Sequence, residues 1–186
     1  MLDVQMLTGI NGCHKTPAAE THPFAQPSGA LFSDCRRFRY LLWRRWDASL
    51  PLLGWLALNP SAADASDEDQ SSRKFRGFAE RLGFGGYITA NLYAWIDTYP
   101  EDLRAAGYLV GDENDAHTET MVRTCDAVIC AWGSNARGLA RPAEAVSIIR
   151  RAGRTPLALK VNRDGTPAHP LMLPYSCKLQ PFGGQA

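Results

Sequence analysis

The run Leu52-Leu53-Gly54-Trp55-Leu56-Ala57-Leu58 ends abruptly in Asn59-Pro60-Ser61. Seven residues without a polar side chain are far too short to cross a membrane, and they read as a strand buried on both faces. Pro60 cannot donate a backbone hydrogen bond, so it stops the strand. The polar Asn59 therefore falls at the strand's C-terminal tip. Strands of this kind belong to open sheets flanked by helices, and such sheets bind ligands at their C-terminal tips.

The rest of the chain alternates in the same way. Residues 39–43, 87–92, 127–132 and 155–160 read as further strands. Between them, Ser71-Ser72 can cap a helix carrying Phe75, Phe78, Ala79 and Leu82 at helical spacing, and Gly83, Gly85 and Gly86 stop it. Residues 64–70 form an acidic loop. Shorter helical stretches follow at 100–106, 112–124 and 142–153. The expected fold is α/β, a three-layer sandwich with a central, mostly parallel sheet flanked by helices. Residues 1–28 mix Gly, Pro, Thr, Ala and His without periodicity and read as a loosely structured N-terminal extension. Residues 29–186 then form a single α/β domain.

Net charge is +1 over 186 residues, so the overall field favours no particular partner. A non-specific DNA binder would be more basic, but an enzyme that meets DNA briefly needs only a local basic patch. The five cysteines contain no C-x-x-C pair, which argues against a disulfide framework or a structural zinc site. Reduced thiols in a cytoplasm are expected, with no cofactor and no metal. Glu113 and His117 lie one helical turn apart, but a solvated helix face explains them without a metal ion. No apolar run approaches a membrane span, and the first residues lack the pattern of a secretion signal. A monomer without a membrane partner is the expectation.

Three strands end in distinctive groups: Asn59, Asn91 and Trp132-Gly133. His169 follows the last strand. Asn59 can hold a water through its carbonyl oxygen, although an amide takes up no proton near neutral pH. Asn91 offers one acceptor and two donors in a plane, which suits a nucleobase edge. His169 can donate a proton or stabilise developing negative charge. Asn-Pro after a strand is also ordinary turn chemistry, and a His before Pro is commonly structural. Their shared placement at strand ends raises the catalytic reading. Asp64, Asp67 and Asp69 offer a carboxylate base if one of them reaches the cleft. Arg39, in the densest basic region, and Arg73 and Lys74, near a helix start, are candidates for phosphate contact.

From about residue 29 to 181, the chain resembles a bacterial family described as domain of unknown function 1643. The matching pieces include Cys35-Arg36-Arg37-Phe38-Arg39-Tyr40, Leu58-Asn59-Pro60-Ser61-Ala62-Ala63-Asp64, Asn91-Leu92-Tyr93-Ala94, Gly111-Asp112-Glu113-Asn114-Asp115, Ala131-Trp132-Gly133 and His169-Pro170-Leu171. The order of these motifs is also similar, more distantly, to the uracil-DNA glycosylase superfamily. Its mismatch-specific and single-strand-selective branches carry a Gly-x-Asn-Pro-Gly motif whose Asn positions water. That resemblance implies a uracil-DNA-glycosylase-like fold. It gives Asn59 the water-positioning role, Asn91 the base-reading role and His169 the catalytic histidine role. Ala57 and Ser61 replace the two motif glycines, and Leu171 replaces a Ser that grips phosphate. The chain lacks the cysteine spacing of the iron–sulfur branches.

The activity implied is hydrolysis of the N-glycosidic bond of a base flipped out of DNA, leaving an abasic site. Leu58, Ser61 and Asn91 would contact the base. Ser61 is small where the most uracil-specific branch places a Tyr that blocks C5 substituents, so a 5-modified pyrimidine of phage DNA is admitted and antiviral defence becomes a role. Two alternatives stand beside this: a nucleotide- or nucleoside-processing hydrolase, and a module that recognises a modified base without cleaving it.

Overall fold

The computed structural model describes residues 24, 26–61, 69–97 and 100–183. In chain order the strands are β1 (Ser28–Phe32), β2 (Arg39–Arg45), β3 (Leu52–Ala57), β4 (Gly86–Asn91), β5 (Ala127–Cys130), β6 (Pro156–Ala158) and β7 (Gln180–Pro181). The helices are α1 (Gln70–Arg81), α2 (Pro100–Ala105), α3 (Asn114–Thr124) and α4 (Arg141–Arg151). All seven strands join one sheet in the order β1-β2-β4-β3-β5-β6-β7. The four at its centre, β4-β3-β5-β6, are parallel. The outer pairings, β1 with β2, β2 with β4 and β6 with β7, are antiparallel.

Every residue of β3 and β4 is buried, as the unbroken apolar run at 52–58 requires. On one face, Trp55 of β3 stacks on Phe75 of α1 with ring centroids 4.8 Å apart, and Phe78 meets the same indole edge-on. On the other face, Leu56 and Val128 pack into a core with Leu103 of α2, Met121 and Val122 of α3, and Ala145 and Ile149 of α4. The result is helix, sheet, helix. Each of these large side chains, fully buried, stabilises the fold by about 1.5–3 kcal/mol.

The expected parallel sheet is therefore its centre, and the edges depart from it. β1 starts inside the stretch read as an extension, because its residues pair with β2 instead of showing a buried pattern of their own. Of the rest of that extension, residues 1–23 and 25 lie outside the described residues, as do residues 62–68, which include most of the acidic loop. The cap of α1 is also corrected. Asp69, not Ser71 or Ser72, occupies the extended N-cap position, and its carboxylate accepts from the Ser72 N–H at 2.7 Å. Ser72 is the third helical residue and supplies one of the orphan N–H groups that the cap satisfies. The helix ends where expected, with Gly83 beyond it at φ +83°.

Gly85 joins the sheet's N-terminal edge to the loop after β2. Its carbonyl accepts from the N–H groups of Trp46 and Asp47, both at 2.9 Å. A Cβ at this position would run into the Asp47 carbonyl and come within 2.8 Å of Leu50 Cβ. Gly85→Ala is expected to destabilise the domain by about 1–3 kcal/mol through overpacking. In urea unfolding, the midpoint should fall with the slope unchanged.

Candidate active site

The strand order reverses about β3, which has β4 on one side and β5 on the other. Ligands of open α/β sheets bind at such a switch point, outside the strands' carboxyl ends. A cleft of about 680 Å³ opens there, lined by Ala57, Leu58, Asn59 and Ser61 after β3, Trp132 and Gly133 after β5, and Lys160, Asn162, Ala168 and His169 after β6. A second cleft of about 630 Å³ lies at the opposite edge, lined by Trp46, Leu50, Leu52 and Asp126 among others. It holds none of the strand-end groups, so the first is the candidate site.

Asn59 is half-buried, and its orientation is fixed by its own amide. Nδ2 donates to the Asp97 carbonyl at 2.9 Å and to that of Pro60 at 3.3 Å. The Asp97 N–H in turn donates to the Pro60 carbonyl at 3.1 Å, locking the two segments together. With both amide protons engaged, Oδ1 is the group left over, and no donor among the described residues reaches it. Asn59 thus presents an acceptor at the cleft.

His169 caps a short 3₁₀ turn, Pro170–Met172, and its Nδ1 accepts from the Leu171 N–H at 3.2 Å. An accepting Nδ1 places the proton of the neutral ring on Nε2. Burial pushes the His169 pKa below its ordinary value, while the Asp69 carboxylate pulls it up. The ring packs on Phe75 with centroids 5.7 Å apart. Gly133 lies beside His169 in a backbone conformation that favours glycine. It takes φ +72°, donates to the Pro167 carbonyl at 3.0 Å, and has its α-carbon so placed that a Cβ would sit 3.6 Å from that of His169.

Asp69 is the acidic-loop carboxylate that approaches the site. Oδ2 accepts from Ser61 Oγ at 2.8 Å while Oδ1 caps α1. Burial works to raise its pKa, but hydrogen bonds from Ser72 and Ser61 and the charge of Arg39 outweigh it and hold the carboxyl below its ordinary range. Asp64 and Asp67 lie outside the described residues.

The other candidates divide. Leu58 and Ser61 line the cleft. Asn91 does not. It sits in register with Ala57, 3% exposed, one strand away from the lining. The backbone around it is pinned by Asn114, whose Nδ2 donates to the Asn91 carbonyl at 2.9 Å, and by Arg141, whose Nε donates to the Leu92 carbonyl at 2.8 Å. Arg39 is no surface cation. It is 6% exposed, and burial lowers its pKa to about 10, against the opposing charge of Asp69. Lys74 is held in the fold, donating to the Leu173 carbonyl at 2.6 Å and lying 4.1 Å over the Tyr175 ring. Arg73 is exposed in the first turn of α1. Lys160 and Asn162 were missed, although Lys160 closes the stretch read as a strand at 155–160 and the strand-end rule applies to it equally. The Asp97 carbonyl that holds Asn59 is a backbone group and leaves no sequence signal.

The profile of a family described as protein of unknown function (DUF1643) matches residues 39–171. The chain belongs to this family. No curated protein and no solved structure matches it. The family region begins with β2 and ends at Leu171, within the His169-Pro170-Leu171 motif, so it encloses Asn59, Ser61, Asp69 and His169 together. β1 and β7 fall outside it.

A neutral, Nε2-protonated His169 at pH 6.5 is the expected state. In NMR titration its midpoint should lie below the free-histidine value of about 6.5, and Asp69→Asn should move it lower still by removing the carboxylate that favours the imidazolium. The sign for stability follows. A depressed histidine pKa means the unfolded chain binds the proton more readily, so stability is lost as pH falls through this range.

Proposed function

We propose that the chain is a monofunctional DNA glycosylase with a uracil-DNA-glycosylase-like fold, acting on a flipped-out uracil-like or 5-modified pyrimidine. The observation that carries this reading is that Asn59 and His169 line one cleft with opposite free groups. The first offers an acceptor oxygen, the second an N–H donor. Motif order supports the fold assignment: Asn59 follows β3, Asn91 ends β4, Trp132-Gly133 follows β5 and His169 follows β6.

Cleavage of an N-glycosidic bond separates charge. The sugar gains oxocarbenium character, and the base departs with the bonding electrons. The Nε2–H of His169 donates to an oxygen of the departing base, and a neutral ring suffices for this. A preorganised donor at developing charge contributes on the order of 10²–10³ in rate. Asn59 Oδ1 holds the water that attacks C1′. Ser61 leaves room beside the base for a C5 substituent, which supports modified phage pyrimidines as substrates and antiviral defence as the role. Exposed Lys160, in the cleft lining, and exposed Arg73, in the first turn of α1, are the phosphate contacts in this reading.

The test is base release and abasic-site formation. Oligonucleotides containing uracil, mismatches, 5-hydroxymethylcytosine or glucosylated cytosine would be incubated with the protein. Release from one of them is expected, falling about 10²–10³-fold in Asn59→Ala and His169→Ala with DNA binding retained. Release at the wild-type rate in both variants, or none from any substrate, would overturn the reading.

A further inference from the structure

The cleft holds a second fixed acceptor beside Asn59. Ser61 lines the same wall two residues on, and its only proton is donated to Asp69 Oδ2 at 2.8 Å. The carboxylate cannot turn away, because its other oxygen is held by the Ser72 N–H at 2.7 Å. Ser61 Oγ therefore offers the cleft lone pairs alone. Asn59 offers Oδ1 alone, because both its amide protons are held by the Asp97 and Pro60 carbonyls.

Two side-chain acceptors on one stretch of wall match a water molecule held by both its hydrogens. A water so held aims a lone pair away from the wall and into the cleft. Resting on the glycosylase reading, we propose that Ser61 and Asp69 form the second arm of the water site and carry the proton away from the attacking water. As the O–C1′ bond forms, the C1′–N bond breaks and its electron pair leaves with the base. One water proton passes to Ser61 Oγ while the Ser61 proton passes to Asp69 Oδ2. Asp69 returns that proton to solvent after the products leave. Asp69 does not itself line the cleft; it is a positioning residue that acts through Ser61. Its carboxyl is a weak base, held ionised by its hydrogen bonds and by Arg39. That suits a step in which a water already bonding to an oxocarbenium carbon has become strongly acidic. This arrangement supplies what Asn59 lacks, since an amide holds water but accepts no proton.

The test uses the full chain and the oligonucleotide whose base the wild type releases, with single-turnover rate and DNA affinity measured separately. Asn caps helices as well as Asp, so Asp69→Asn keeps α1. The Asn carbonyl takes the Ser72 N–H, which turns its amide toward Ser61 and reverses that hydroxyl. Asp69→Asn and Ser61→Ala are each expected to slow release about 10²-fold, the usual scale of general-base loss, with affinity unchanged. The double variant should be no slower than either single one. Ser61→Thr, which keeps the hydroxyl and leaves the cap untouched, should recover most of the rate. Wild-type rates in Asp69→Asn and Ser61→Ala, additive losses in the double variant, or failure of Ser61→Thr to recover would overturn the relay while the glycosylase reading stands. Absence of release by the wild type from every oligonucleotide would overturn both.

Discussion

Asp69 has two carboxylate oxygens, and the fold uses them for different ends. One accepts the Ser72 N–H and starts α1; the other accepts the Ser61 hydroxyl and fixes the chain just after β3. Remove the side chain and the first turn of α1 loses its cap while the strand-end loop loses its anchor. Both flank the cleft. Arg39 lies beneath as a buried cation, and a buried charge is tolerated only with a partner. The charge that begins the helix thus also offsets the desolvation of Arg39 and raises the proton affinity of His169. Helix capping and site electrostatics are linked through one side chain.

The central sheet was legible because burial on both faces leaves an unbroken apolar run, as at 52–58 and 127–132. The edge strands were not. Residues 28–32, Ser-Gly-Ala-Leu-Phe, alternate weakly and owe their strand state to hydrogen bonds with β2. β7 is two residues long and takes its form from β6. An edge strand is defined by its neighbour more than by its own pattern.

The site was legible to the same extent. Asn59 stood out as a polar group at a strand end and His169 as one that follows the last strand; the sheet places the first at the switch point, and the loop beyond β6 brings the second to the same cleft. Asn91 obeyed the same rule yet falls outside the lining, because the rule specifies an edge and not a direction. Its register with Ala57 places it one strand from the cleft, and the interposed strand end decides what it can touch. Arg39 and Lys74 looked like surface cations because sequence shows charge without depth. One is inside the fold, and the other is held by the Leu173 carbonyl and the Tyr175 ring. Asp69 was one of four carboxylates in the acidic loop at 64–70, and nothing local distinguished it. Its cap geometry does, and that depends on where α1 begins.

The polarity of the cleft bears on which chemistry it suits. Asn59 and Ser61 present oxygen lone pairs, whereas His169 presents an N–H from the loop beyond β6. A reaction that builds positive charge on one fragment and negative charge on the other is served by such a division, provided each fragment lies against the matching wall. A hydrolysis whose electrophile is cationic places the Asn59–Ser61 wall to advantage. In the proposed glycosylase reaction the acceptors would favour the sugar and together hold the water, and a neutral histidine would receive the anionic leaving group.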